Sequence, residues 1–178
     1  DMASGNIYLQ LPTFSLNVAT FNPFDSKDRV GEQKWYQRIT VGYSLQGSNT
    51  LSTGDSTIFT KQTLKEFTNG FQHNIPVSLS LNAFKHFQFN TSVNYTERWY
   101  LQTIRKGLEN ELNGFKDVTD TVPGFRRAYD YSFSTGLSTK IYGMYPKIGK
   151  IEAIRHIVTP SVNFNYRPDF ADARYGFY

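Results

Sequence analysis

The side chains that could perform chemistry are few and widely separated in this sequence. His73, His86 and His156 lie on different predicted elements, and the chain contains no cysteine. A metal site needs several ligands on elements that converge. These histidines are therefore expected to lie in turns or at a membrane interface and not to bind a metal ion. No pair of carboxylates can be assigned to acid and base roles from the sequence.

Two further segments have compositions that could bind phosphate or a divalent cation. Residues 143–150 resemble a phosphate-binding loop, but the spacing before the final Gly-Lys is one residue too long and Ile151 replaces the required Ser or Thr. The acidic residues within 102–127 could hold a cation near an anionic lipid surface, although a solvated loop is the commoner explanation. We predict no enzyme, no catalytic residues, no cofactor and no metal ion.

Alternation of apolar and polar residues is the main signal in the chain. Its clearest stretch runs from Phe71 to Ala83, where Val77 and Leu79 alternate with Ser78 and Ser80. A period of two residues places the two kinds on opposite faces of a strand, which we name the apolar phase and the polar phase. Similar alternation elsewhere predicts six strands, at about residues 7–20, 35–46, 71–83, 87–101, 128–142 and 154–166.

The predicted connections alternate between short and long. Long polar loops are predicted at 47–69 and 102–127, whereas residues 84–86 form a tight turn that joins an antiparallel hairpin. Short turns at one end of a sheet and long loops at the other are typical of outer-membrane barrels. The phase slips at Pro12 in the first strand, which predicts a bulge there.

Aromatic residues make up 16% of the chain and concentrate near the ends of the predicted strands. Two aromatic girdles that flank a band of Val, Leu and Ile are typical of a membrane-facing surface. The predicted membrane-interface residues are Tyr43, Phe71, Tyr95, Trp99, Tyr129, Tyr131, Tyr166, Trp35, Phe84 and Phe87.

The polar phase carries mainly amides and hydroxyls. Such a face could donate and accept hydrogen bonds with water, with a plug or with sugar hydroxyls inside a barrel. It has too few charges for a selective ion filter. The predicted lumen-facing residues are Gln72, Asn74, Ser78, Ser80, Asn82, Gln88, Asn90, Ser92, Asn94 and Asn163.

These patterns predict an all-β fold, an antiparallel transmembrane β-barrel wall formed by residues 1–178 as part of a single barrel domain. No run approaches the roughly 18 apolar residues of a membrane helix. Closed membrane barrels have at least about eight strands, so six strands predict a segment of a larger barrel. The net charge of +4 is scattered through the connections and gives little support for nucleic-acid binding.

Two motifs resemble the LptD family of lipopolysaccharide-assembly proteins of the Bacteroidetes, at residues 94–100 (NYTERWY) and 154–162 (IRHIVTPSV). Shorter segments resemble the same family in order along nearly the whole chain. They are Leu11-Pro12, FNPF at 21–24, RVG at 29–31, Trp35-Tyr36, Asn69-Gly70, IPVS at 75–78, PDF at 168–170 and RYGFY at 174–178.

The resemblance implies a translocon component in the outer membrane of a Gram-negative bacterium, which inserts lipopolysaccharide into the outer leaflet. It also implies a periplasmic lipopolysaccharide-transport bridge, an LptE-like lipoprotein plug in the lumen, and contact with outer-membrane lipid. Two alternatives remain open. One is another large Bacteroidetes outer-membrane barrel for nutrient uptake or protein secretion, and the other is a soluble β-sandwich surface module, whose strands usually have about 5–6 residues.

Overall fold

The structure is a computed structural model that describes residues 5–54, 67–84, 86–111, 114–146 and 154–176. Within these residues the chain forms nine β-strands and two short 3-10 helices, Trp35–Arg38 and Ala173–Tyr175. The strands are β1 (Asn6–Gln10), β2 (Phe14–Phe21), β3 (Ile39–Gly54), β4 (Phe67–Ala83), β5 (Phe87–Glu111), β6 (Gly114–Thr139), β7 (Ile141–Tyr145), β8 (Ile154–Val158) and β9 (Ser161–Tyr166).

Seven of these strands belong to one antiparallel sheet in the order β1-β3-β4-β5-β6-β9, with β2 also paired to β3. β7 and β8 form a two-stranded sheet. The nine segments fall into the six predicted runs, because β1 and β2, β6 and β7, and β8 and β9 each share one run. The predicted all-β antiparallel architecture is therefore confirmed. Closure of the sheet into a larger barrel stays a prediction.

Two prolines mark interruptions within these runs. β1 ends at Gln10 and β2 begins at Phe14, and between them the Leu11 amide donates to the Asn49 carbonyl over 3.0 Å. Between β8 and β9, the carbonyl of Pro160 accepts from the Thr139 amide over 3.2 Å. Proline has no amide hydrogen to donate to a ladder, so strands commonly break there.

The prediction of a long loop at 102–127 is wrong. β5 continues to Glu111 and β6 begins at Gly114, so most of that range is strand. β3 likewise continues to Gly54 and β4 begins at Phe67, which leaves only residues 55–66 of the loop predicted at 47–69, and these lie outside the described residues. Backbone pairing needs no apolar face, so a strand with water on both sides lacks the alternation used to predict strands.

The second strand was predicted to begin at Trp35, but Trp35–Arg38 is a 3-10 helix and the strand begins at Ile39. Side-chain hydrogen bonds stabilise this turn. The Asn22 amide donates to the carbonyls of Gln37 and Ile39 over 3.0 and 3.1 Å. Local bonds of this kind compete with strand pairing, which accounts for the later start.

The described side chains form almost no conventional core. Leu51, at 3% exposure, is the one buried hydrophobic residue among them. Apolar-phase residues such as Val162 and Phe164 are exposed. A soluble sandwich buries this phase against a second sheet. An apolar surface of this extent therefore requires a cover that these residues do not supply.

Residue contacts divide the chain into two compact units. The first unit comprises Asp1–Val18, Ser44–Asn74 and Thr96–Asp130. The second unit comprises Ala19–Tyr43, Ile75–Tyr95 and Tyr131–Tyr178. The prediction of one barrel domain over the whole chain stays a prediction.

Candidate functional site: the polar phase of the sheet

In the second unit, hydroxyl and amide side chains of neighbouring strands bond to each other across the polar phase. The hydroxyls of Thr40 and Ser78 lie 2.6 Å apart and link β3 to β4. The Ser80 hydroxyl donates to the Asn90 side-chain oxygen over 2.7 Å and links β4 to β5. Cross-strand polar pairs of this kind stabilise a sheet modestly and fix the side chains on one face.

At the β6–β9 pair, a glycine makes room for an amide. Gly136 and Asn163 are direct partners in the antiparallel register. The side-chain oxygen of Asn163 occupies the space that a Cβ on Gly136 would need. The glycine therefore lets the Asn163 amide lie flat against the neighbouring strand.

These side chains border a groove of about 540 Å³ in the second unit. Five of the ten predicted lumen-facing residues line it, and none of its described lining residues is charged. The sequence prediction left out three further lining positions of the polar phase, although alternation in the last two predicted runs contains them. The polar-phase residues that line the groove are Ser78, Ser80, Asn90, Ser92, Ser134, Ser138, Asn163 and Asn165.

In the first unit, the polar phase carries one charged cluster. Arg98 on β5 places Nη1 2.5 Å from Asp130 Oδ2 on β6 and donates from Nε to the side-chain oxygen of Gln72 on β4 over 3.2 Å. The Thr96 hydroxyl donates to the Asn74 side-chain oxygen over 3.2 Å. Arg98 and Gln72 also line a groove of about 440 Å³. The cluster thus connects three strands through side chains.

Three of the predicted lumen-facing residues neither line a groove nor form one of the hydrogen bonds above. Asn82, Gln88 and Asn94 are exposed in the same phase of β4 and β5. All ten candidates thus belong to one phase of the strands, and seven of them bond to a neighbour or line a groove. That this phase faces a barrel lumen stays a prediction.

The apolar phase of the first unit holds a group of aromatic side chains. Phe71 packs against Phe14, with ring centroids 5.9 Å apart. Trp99 contacts His73 at 4.1 Å and Phe125 at 5.9 Å between centroids. Phe71 and Trp99 are two of the predicted interface residues, and their contacts show that this end of the sheet presents an aromatic surface.

The same surface contains an ion pair that accounts for a charge in the apolar phase. Glu97 Oε1 accepts from the Trp99 indole over 2.7 Å and lies 3.6 Å from Arg127 Nε. The Arg127 guanidinium lies 5.7 Å from the centre of the Tyr129 ring. A hydrogen-bond donor and an opposite charge reduce the free-energy cost of a carboxylate in an apolar setting, and the Tyr129 ring stabilises the arginine.

In the second unit, the other predicted interface residues lie on several elements. Tyr131 contacts Phe170 at 5.5 Å between ring centroids. Tyr43 and Tyr95 are partly buried on β3 and β5, and Tyr166 is exposed at the end of β9. Trp35 is exposed in the 3-10 helix, while Phe84 in the β4–β5 turn and Phe87 at the start of β5 are also exposed. Contact of these side chains with a membrane surface stays a prediction.

The described residues contain no helix that is long and apolar enough to cross a membrane. Across the same residues, no group of three or more His, Asp or Glu side chains is close enough to hold a metal ion.

Comparison with known proteins places the chain in a family. The family model described as LptD protein matches residues 1–178. No curated protein and no solved structure matches the chain. The family match covers every residue discussed above, in both units.

Proposed function

Because this chain belongs to the LptD family, we propose that it forms part of the wall of an outer-membrane barrel that inserts lipopolysaccharide into the outer leaflet. Proteins of the family act in lipopolysaccharide transport or assembly at the outer membrane and are not enzymes. The match over residues 1–178 is the observation that carries the proposal, since a fold alone does not establish a function.

The uncharged groove supports the proposal through its chemistry. Its hydroxyl and amide side chains, among them Ser80, Asn90 and Asn163, both donate and accept hydrogen bonds. Sugar hydroxyls need partners of this type. The described lining residues carry no charge, which avoids tight ionic capture of a phosphorylated lipid that would slow its passage.

The exposed apolar phase supports a position in a membrane. Residues such as Val93, Leu137 and Val162 are exposed on this phase. Lipid acyl chains would cover them without a second sheet, and the aromatic groups around Trp99 would lie at the level of the headgroups.

The proposed partners follow from the same function. They are lipopolysaccharide itself, outer-membrane lipid, a periplasmic bridge that delivers lipopolysaccharide, and an LptE-like lipoprotein plug. Membership of the family supports such partners in general. The polar phase is the surface on which a plug would lie, because its side chains are those that bond to other polar groups. We also propose that the chain is of the Bacteroidetes type within this family.

Depletion of the full-length protein in its host tests the function directly. Surface lipopolysaccharide is measured during depletion, with the amounts of unrelated outer-membrane barrels as the control. We expect surface lipopolysaccharide to fall while the other barrels still assemble. Unchanged surface lipopolysaccharide would contradict the proposal and favour a barrel for nutrient uptake or protein secretion.

A pair of groove variants tests whether the groove lies on the transport path. The Ser80→Asp/Ser92→Asp variant places two negative charges in the groove, which repel an anionic lipid. The Ser80→Asn/Ser92→Asn variant has nearly the same shape without charge and is the matched control. We expect only the Asp variant to lower surface lipopolysaccharide at equal amounts of assembled barrel. Equal transport by both variants would remove the groove from the path.

A further inference from the structure

The hairpin formed by β7 and β8 continues the β6–β9 pair without a change of register. The outer pairs run from Phe133↔Tyr166 to Ser138↔Ser161. The inner pairs run from Ile141↔Val158 to Tyr145↔Ile154 with the same residue offset. No residue is inserted on either strand, so the alternation of side chains carries across the break at Lys140 and Pro160.

The polar phase changes its chemistry at this break. On β6 and β9 it carries Ser138, Ser161 and Asn163. On β7 and β8 the same phase carries Tyr142, Met144 and Ile157, which are 54%, 75% and 50% exposed. We name these three residues, together with Arg155, the tip surface.

The opposite face of this hairpin is also mainly apolar, although it carries His156 on β8. Ile141, Tyr145, Ile154 and Val158 are exposed in the apolar phase of the two strands. Apolar surface in contact with water is unfavourable on either face, so both faces of this hairpin are expected to be covered in the assembled protein. Lipid can cover the apolar phase, but the tip surface lies in the phase that turns away from it.

The charge of the hairpin indicates what covers the tip surface. Arg155 is paired with Met144 and lies 4.9 Å over the Tyr142 ring. Lys140 lies in the same phase at the break. In sequence, residues 140–159 contain Lys140, Lys147, Lys150 and Arg155 against a single carboxylate, Glu152. The surface is therefore apolar and cationic, which complements an apolar segment that carries carboxylates.

We propose that the tip surface binds a segment of a periplasmic protein that presents apolar side chains beside Asp or Glu. The proposal takes two premises from the proposed function: the apolar phase faces lipid, and the short turns of the barrel lie in the periplasm. The β7–β8 hairpin lies at that end of the strands, because the Thr139 hydroxyl just before it donates to the carbonyl of His86 in the short β4–β5 turn over 2.8 Å. Tyr142 and Met144 provide the apolar contact area, and Arg155 supplies the charge that orients the partner.

Photo-crosslinking in intact cells tests this proposal with the full-length protein. The crosslinking amino acid p-benzoylphenylalanine replaces Met144 or Ile157 on the tip surface, or Tyr145 or Ile154 on the opposite face as matched controls. We expect protein adducts from Met144 and Ile157 only, which map by mass spectrometry to an apolar segment with carboxylates. Adducts with lipid alone, equal protein adducts from both faces, or no adducts would overturn the proposal.

Charge reversal gives a second readout. We expect Arg155→Glu to lower the adduct yield from Met144 by about threefold and Arg155→Lys to preserve it, as for a partly exposed ion pair. Unchanged yield in the Arg155→Glu variant contradicts the proposed carboxylates. If the Arg155→Glu variant fails to assemble, the crosslinks from the tip surface and from the opposite face, measured without that substitution, still test the proposal. Adducts at the tip with unchanged surface lipopolysaccharide on depletion would leave the docking proposal standing and remove the proposed function.

Discussion

Arg98 is the side chain through which three strands share one polar cluster. Its guanidinium contacts Asp130 on β6 and Gln72 on β4. Both members of the ion pair are partly exposed, so solvent screening limits its contribution. We expect Arg98→Ala to lower the free energy of unfolding by about 1 kcal/mol, and Arg98→Lys by less, because lysine keeps the charge but loses one of the two bonds.

Urea unfolding of the full-length protein in lipid vesicles measures these effects. Arg105→Ala is the matched control, since Arg105 is an exposed arginine on the same strand. We expect the control to change stability by less than about 0.5 kcal/mol. An equal loss in Arg98→Ala and Arg105→Ala would show that the cluster contributes nothing specific.

Gly47 permits an aromatic contact across β3. The Phe14 ring occupies the space that a Cβ on Gly47 would need, and the same ring contacts Phe71 on β4 at 5.9 Å. We expect Gly47→Ala to displace the ring and to lower the free energy of unfolding by about 1 kcal/mol. Gly107→Ala is the control, because no atom of the described part of the chain lies within 4 Å of a Cβ at Gly107.

A double-mutant cycle separates this contact from a backbone effect. If the displaced ring is the cause, the Phe14→Ala/Gly47→Ala variant is less destabilised than the sum of the two single variants. Additive losses in urea unfolding would instead place the effect in the β3 backbone.

At this scale the sequence predicts phase but not pairing. By their positions in the alternating sequence, Arg98 and Asp130 belong to the polar phase and Glu97 to the apolar phase. Which residues meet depends on strand register, and alternation repeats every two residues and so does not identify the partner. The contacts of Gly47 and Gly136 could not be predicted either, because a glycine has no side chain and contributes nothing to the alternation of apolar and polar residues.

The long strands β5 and β6 provide a test at the scale of elements. Both extend through residues that polarity alone assigns to a loop. We expect slow amide hydrogen exchange at residues 102–106 and 118–122, since backbone ladders protect amides whatever the side chains. Residues 26–30 between β2 and β3 lie outside the strands and should exchange fast. Fast exchange in all three segments would contradict the extended strands.

Turn chemistry and alternation predicted several of the element boundaries. The end of β4 at Ala83 and the start of β5 at Phe87 agree with the predicted bounds. The phase slip at Pro12, predicted as a bulge, is instead a break between β1 and β2. Outside the strands with alternating apolar and polar residues, the side chains do not mark where an element begins or ends. The 3-10 helix at Trp35–Arg38 depends on Asn22, more than ten residues earlier, which no local pattern contains.

For the whole molecule, the two phases of the sheet require different surroundings. The polar phase forms hydrogen bonds between strands and borders an uncharged groove. The apolar phase is exposed and has almost no buried partner among the described residues. A membrane on one side and an aqueous interior on the other satisfy both phases, as in the wall of a barrel.

Two adjacent residues of β5 test this arrangement with one substitution each. Val93 lies in the apolar phase and Asn94 in the polar phase, near the middle of the predicted membrane crossing at 87–101. In full-length protein folded into lipid vesicles, we expect Val93→Arg to lower the free energy of unfolding by about 2–4 kcal/mol, the cost of a charge facing lipid at mid-membrane. Asn94→Arg should have little effect, because its charge would remain in water. Urea unfolding measures the free energy of unfolding of both variants, with the folded fraction read from the heat-modifiable mobility of the barrel on a gel. Equal tolerance of the two variants would show that the apolar phase does not face lipid, and a loss confined to Asn94→Arg would reverse the assignment of the two faces.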